Sequence, residues 1–237
     1  MPSVSITAIQ KRVRQLRNDE IARHSQRFFK TGKGDYGEGD RFLGIRVPTL
    51  RKLASQYKEM PLAAVSRLLA SEFHEERLLS LLMLVSLFAR GTEAEQHAVY
   101  NVYLKNTCSI NNWDLVDCSA QHIVGAYLLT RNREPIYRLA RSKKIWERRI
   151  SIMSTFYFIK RNEFDDTLTL SKILKQDSED LIHKAVGWML REIGNRNIAT
   201  EETFLKIHYQ DMPRTMLRYA IEKFPEDKRQ AYLKGKI

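Results

Sequence analysis

A chain of 237 residues with 43% hydrophobic and 29% charged side chains has enough apolar material for a packed interior, and too much of it for an intrinsically disordered protein. Forty Lys and Arg against 28 Asp and Glu leave a net charge of +12 and a sequence pI near 9.7, which makes a polyanion, and nucleic acid first, the expected partner. The two cysteines, Cys108 and Cys118, stand ten apart without a CxxC pair, so neither a zinc site nor a disulfide framework is expected, and a reducing cytosol fits.

Strict apolar/polar alternation bounded by turns hardly occurs, whereas apolar residues recur at three- and four-residue spacing in nearly every segment, so the chain reads as all-α. Residues 1–30 form basic N-terminal helices in which Lys11, Arg12, Arg14 and Arg17 cluster, and residues 1–60 hold 13 basic and 6 acidic side chains. This quarter is expected to touch phosphates. Residues 31–40, TGKGDYGEGD, carry four glycines and read as a connector. The GKG within lacks the GxxxxGK[ST] spacing of a phosphate cradle. Pro48 can open the next helix, with Leu50, Leu53, Ala54 and Tyr57 forming its inward stripe. Leu78 to Ala89 is the longest apolar stretch, but twelve residues between Arg77 and Arg90 make a buried helix and not a membrane span.

From about 41 to 225 a rhythm appears. Five helices start alike around Arg77, Asp117, Arg149, Lys184 and Arg214, and the anchors lie 40, 32, 35 and 30 residues apart. Such an interval holds two antiparallel helices and two turns, the size of a HEAT or armadillo repeat. The expectation is a single domain over 1–237, a curved solenoid of HEAT-like antiparallel helix pairs with a concave basic groove. Along that groove Arg77, Arg149, Lys184 and Arg214 would form a cationic row, with Arg148 beside it and Asp117 as its one carboxylate. Solvated helix starts would account for Asp117, since acidic residues favour N-terminal turns, but not for the row of cations.

Trp113 and Asp117 in WDLVD share one helix face, one turn apart. Asp114 either caps that helix or pairs with Arg149. Trp188 lies four after Lys184 and so joins the groove side if Lys184 does, whereas Trp146 reads as core. The six histidines are dispersed; His122 and His183 read as surface or packing residues, and neither metal nor cofactor is expected.

WDLVDCSA, WERRISI and HKAVGWMLRE, together with RFFKTGKGDYGEGDRFLGIRVPTLRKL, resemble the signature segments of the AlkD family of bacterial DNA glycosylases, in unbroken order from about Ile21 to Phe224. The resemblance implies a HEAT-like fold and cofactor-free hydrolysis of the N-glycosidic bond of cationic purines such as 3-methyladenine and 7-methylguanine in duplex DNA. It makes Asp117 the catalytic carboxylate, Trp113 and Trp188 the aromatic partners, and Arg149 the second arginine of WERR. Many members carry an aromatic where this chain has Asn112, a departure that bears on lesion preference. A purine alkylated at N3 or N7 is already positively charged and leaves as a neutral base, so no acid is needed. A carboxylate beside the oxocarbenium-like sugar is what helps. Arginines nearby would keep Asp117 ionised. Arg149 and Arg191 would hold phosphates next to the lesion, and Asp117 could also orient the attacking water. The partner expected is alkylated duplex DNA, with no membrane, no obligatory protein partner and a monomeric bacterial cytosolic chain.

Overall fold

The computed structural model describes residues 5–237, so the first four positions of the N-terminal segment 1–30 lie outside the described residues. Within those residues the regular elements are helical, and the one pairing of extended backbone is an isolated bridge between Arg41 and Phe73. No described helix is long and apolar enough to cross a membrane. The chain packs as two compact units, one running to Ile123 and the other spanning Val124–Ile237.

The first unit holds α1 (Ile6–Arg14), α2 (Asp19–Phe28), α3 (Val47–Gln56), α4 (Leu62–Leu69), α5 (His74–Arg90), α6 (Glu93–Lys105) and α7 (Trp113–Asp117). Local chemistry starts several of these. Ser5 and Asn18 cap α1 and α2 by accepting from Ala8 and Ile21 amides, and Thr92 with Glu95 forms a capping box on α6. Pro48 sits in the first turn of α3, and Leu50, Leu53 and Ala54 are buried as the stripe requires. Helix α5 is the hub of the unit, packed by α3, α4, α6 and α7 and buried without a break from His74 to Leu84. A segment after the glycine-rich loop crosses its N-terminus: the amides of Leu43, Gly44 and Ile45 all donate to the buried Glu75 carboxylate, at 2.8, 2.7 and 3.2 Å. Gly44 is obligatory there, with φ +79° and a Cβ position 2.0 Å from the Asn18 carbonyl oxygen.

The second unit holds α8 (Ala126–Leu128), α9 (Glu134–Ala140), α10 (Ile145–Ser154), α11 (Phe156–Ile159), α12 (Asp165–Leu174), α13 (Asp180–Gly194), α14 (Ile198–His208), α15 (Arg214–Ala220) and α16 (Glu226–Leu233). Helix pairs α9/α10 and α12/α13 stack so that α10 packs on α13 and α13 on α15, the layered arrangement of a helical solenoid.

The repeats share hydrogen bonds as well as length. Arg77 donates to the carbonyl of Ser71 at 2.9 Å and Arg148 to that of Ser142 at 3.0 Å; the His183 ring donates to that of Asp177 at 2.6 Å. Ser80 and Ser151 each tie the second helix of a pair to the first, through Val65 and Ile136 carbonyls, both at 2.7 Å. These bonds align Arg77 with Arg148 and His183, which sets the equivalent of Arg149 and Lys184 at Leu78. The expected row is one residue out of register at its first member. The helix expected over WDLVDCSAQHIVGAYLL is also broken: α7 stops at Asp117, and Gln121–Gly125 is wound as a π-helix. The Ser119 hydroxyl bonds back to the Leu115 carbonyl at 2.5 Å, and the Tyr103 and Ser119 hydroxyls share a 2.9 Å bond, so the turn after Asp117 is anchored from outside its own ladder.

Candidate active site

Helix α7 carries two of the expected residues. Asn112 caps it by accepting from the Trp113 amide, and Trp113 and Asp117 follow one turn apart, both half-buried. Trp113 does not stand alone. Its indole stacks on Phe29 with centroids 5.1 Å apart, and Phe28, 57% exposed, meets it edge-on at 5.9 Å. Phe29 stacks in turn on Phe42 at 5.1 Å, and Phe42 on the His74 ring at 4.4 Å. The glycine-rich loop passes underneath. A Cβ on Gly37 would lie 2.6 Å from the Phe29 carbonyl oxygen and 3.3 Å from Asn112 Nδ2. Asn112 itself is fully buried beside the Trp113 that follows it.

Beneath Trp113 lies a buried chain of charges. His74 Nε2 is 2.8 Å from Asp114 Oδ2 and His74 Nδ1 is 2.9 Å from Asp40 Oδ2. Asp40 also accepts from Arg77 Nη2 at 2.5 Å, and the same nitrogen donates to Asn111 Oδ1 at 3.0 Å. Burial pushes the His74 pKa down, but Asp114 and then Asp40 outweigh it and hold the ring at about 9. Burial likewise raises the Asp40 carboxyl, yet hydrogen bonds from His74 and the charge of Arg77 bring it below the usual carboxylate range. Two anions thus alternate with two cations. Asp114, for which the sequence left a helix cap or a pairing with Arg149 open, accepts from the Leu115 amide at 2.9 Å and pairs with His74. A cleft of ≈ 810 Å³ opens beside this chain, with His24, Phe29, Phe42, Arg46, His74 and Asp114 among its lining. Cys118 is half-buried, and burial, then Asp114 and Asp117, push its thiol up to about 12, which keeps it protonated and non-nucleophilic at neutral pH.

Three arginines expected at phosphates are committed elsewhere. Arg77 is 5% exposed and is spent on Asp40, Asn111 and Ser71, a consequence of the register found above. Arg148 clamps Asp177 through Nε and Nη2 at 2.5 and 3.0 Å. Arg149 is also 5% exposed, and its Nη1 donates to the Leu181 carbonyl at 2.5 Å. Of the basic N-terminal cluster, Arg14 is turned to the buried Glu76 at 2.8 Å and Arg17 to Asp19, while Lys11 and Arg12 are exposed.

In the second unit Lys184 is half-buried with Asp180 at 2.7 Å, Arg191 pairs with Glu222, and Arg214 is exposed with Nη1 on the Leu233 carbonyl at 2.8 Å. Trp188 is half-buried, donates to Glu192 at 3.2 Å and lies 6.1 Å from Phe156, whereas Trp146 is in the core as expected. Phe156 carries a cationic group the sequence reading missed. Lys160 lies over the ring at 4.2 Å and Arg196 at 5.9 Å. Burial first, then the charge of Arg196, lower the Lys160 pKa against the opposing charge of Glu192. Arg131, Arg161 and Arg196 each follow a helix C-terminus and fold back on the carbonyl four residues before, at 2.9, 2.9 and 2.8 Å. Their spacing, 30 and 35 residues, is that of the repeats, and this period is the signal the sequence carries for them. No group of His, Cys, Asp and Glu able to hold a metal ion occurs among the described residues.

No curated protein sequence matches the chain. Among solved structures, a predicted DNA alkylation repair enzyme from Enterococcus faecalis is similar in fold, with a TM-score of 0.68 over 89% of this chain and 97% of that one, at 16% sequence identity. The model of a family described as DNA alkylation repair enzyme matches residues 9–224, and this span contains the WDLVD and KAVGWMLRE segments from which the resemblance was drawn. A match of that extent shows that the chain belongs to the family of DNA alkylation repair enzymes.

Proposed function

We propose that the protein is a monofunctional DNA glycosylase that releases cationic alkylated purines, 3-methyladenine and 7-methylguanine, from duplex DNA, with Asp117 as the catalytic carboxylate. The observation that carries this reading is the half-buried Asp117 one turn from a Trp113 that is braced by Phe28 and Phe29, in a chain of this family. When the bond between C1′ and the purine nitrogen breaks, its electron pair neutralises the charge already on the base. The sugar is left as an oxocarbenium-like cation. A carboxylate beside C1′ stabilises that charge as it develops and orients the water that adds there, the water's proton passing to solvent. Trp113 offers a π face to the cationic nucleotide, worth roughly 0.5–2 kcal/mol for a well-placed ring, and Trp188 is assigned the same role.

Phosphate contacts supply affinity without sequence information. In this reading they come from exposed and half-buried cations: Lys11 and Arg12 in the first unit, and Lys160, Arg161, Lys184, Arg191, Arg196 and Arg214 in the second. The reaction uses no cofactor or metal, and the enzyme acts as a monomer in the cytosol. The test is release of free base from methylated duplex by wild type and by Asp117→Asn. Wild type should release both purines, and the variant should lose at least about 100-fold in rate with duplex affinity retained, the scale of losing one electrostatic contact to the transition state. Tight, salt-sensitive binding by wild type without any base release would replace the glycosylase with a non-excising DNA-binding protein.

A further inference from the structure

We propose that His74 is a positioning residue for this reaction, holding Trp113, and with it Asp117, through Asp114 on one side and the Phe42–Phe29 stack on the other; the inference rests on the glycosylase reading above. Helix α7 is five residues long, too short to keep an orientation by its own hydrogen bonds, so its direction must come from tertiary ties. Those ties bracket Trp113. Asn111, two residues before it, is held by Arg77, and Asp114, directly after it, by His74. Both lead back to Asp40, which accepts from His74 and Arg77 together, so one buried carboxylate joins the two clamps.

The second route runs through rings. His74 faces Phe42, Phe42 faces Phe29, and Phe29 faces Trp113, each pair nearly parallel or tilted by less than 30°. The groups packed around His74 are Asp40 before α3, Asp114 on α7 and the Phe29 and Phe42 rings, with Arg77 on its own helix reaching it only through Asp40. Burying four ionised groups gains little stability over apolar packing of equal volume. What directional bonds add is a defined geometry, and displacement of a catalytic group by about 1 Å can cost on the order of 100-fold in rate.

The experiment uses the full chain. The Trp113 indole ¹⁵N–H signal, assigned by its loss in Trp113→Phe, is followed in wild type, His74→Gln, Asp114→Asn and Asp117→Asn, beside single-turnover release of 7-methylguanine and affinity for the same duplex. For His74→Gln the expected result is a shifted Trp113 signal and release slowed by about tenfold or more, with affinity within about twofold of wild type. Asp114→Asn, which keeps the acceptor for the Leu115 amide, should lie between it and wild type on both readouts. An unmoved Trp113 signal in His74→Gln, or rate and affinity falling together with the folded fraction, overturns the inference. Asp117→Asn should lose release with the Trp113 signal in place, which separates chemistry from positioning. If wild type releases no base, the glycosylase reading fails and the indole signal alone decides whether His74 holds Trp113.

Discussion

Replacement of His74 by glutamine should remove a pH dependence from the stability of the protein. In the folded chain Asp114 and Asp40 hold the imidazolium with a pKa of about 9, against an ordinary 6.5 once the chain unfolds. The folded state therefore binds the proton more tightly. By linkage its stabilisation is fully present below pH 6.5, falls as the pH rises between the two values and is gone once the folded group has titrated through 9. The difference corresponds to roughly 3 kcal/mol. Urea unfolding of wild type and His74→Gln at a series of pH values from about 6 to 10 reads this directly, as the stability difference between the two proteins at each pH. Wild type should lead at the acid end, and the gap should close by roughly 3 kcal/mol toward the alkaline end. The Asp40 carboxyl is held below the usual carboxylate range and so lies outside this window, and groups that do not contact His74 cancel in the difference. Parallel curves across the range would refute the view that His74 is a cation bridging two carboxylates.

Arg148→Ala strands the buried Asp177 and should cost about 3 kcal/mol in urea unfolding, while leaving the slope of log affinity for DNA against log salt unchanged. Arg196→Ala should lower that slope by about 0.9 with little loss of stability, as expected for one phosphate contact. Glu201 is buried with one oxygen lacking a partner, and burial, then Glu202, raise its pKa to about 8. The protonated form is thus favoured on folding, so stability falls as the pH rises from 4.5 to 8; Glu201→Gln should match wild type near pH 5 and exceed it by roughly 2–4 kcal/mol above pH 8 in thermal or urea unfolding. Gly44→Ala drives a methyl group into the Asn18 carbonyl at a positive φ and should destabilise by about 3 kcal/mol, with the loss seen first in amide exchange at Leu43–Ile45.

The helical class, the repeat interval and the family could be read from one dimension because each rests on local spacing. Apolar residues every three or four positions make a helix wherever they occur, and WDLVD with KAVGWMLRE is a linear pattern. Pro48 at the start of α3 and Trp146 in the core are of the same kind. Which cations face solvent is another matter. Arg77 and Arg149 were expected in the groove row and Arg148 beside it, yet their partners are Asp40, the Leu181 carbonyl and Asp177, 29 to 37 residues away. A charge and its counter-charge at that separation leave no periodic trace.

The same reason hid His74. Its two carboxylates stand 34 and 40 residues from it on different elements, and the rings that join it to Trp113 come from the end of α2 and the segment before α3. Composition and spacing by themselves determined that this basic chain is a stack of helix pairs bearing a carboxylate and an indole one turn apart. Only packing decided which charged groups were withdrawn from the surface. Burying an ion requires a partner brought close by the fold, and sequence order does not encode that distance.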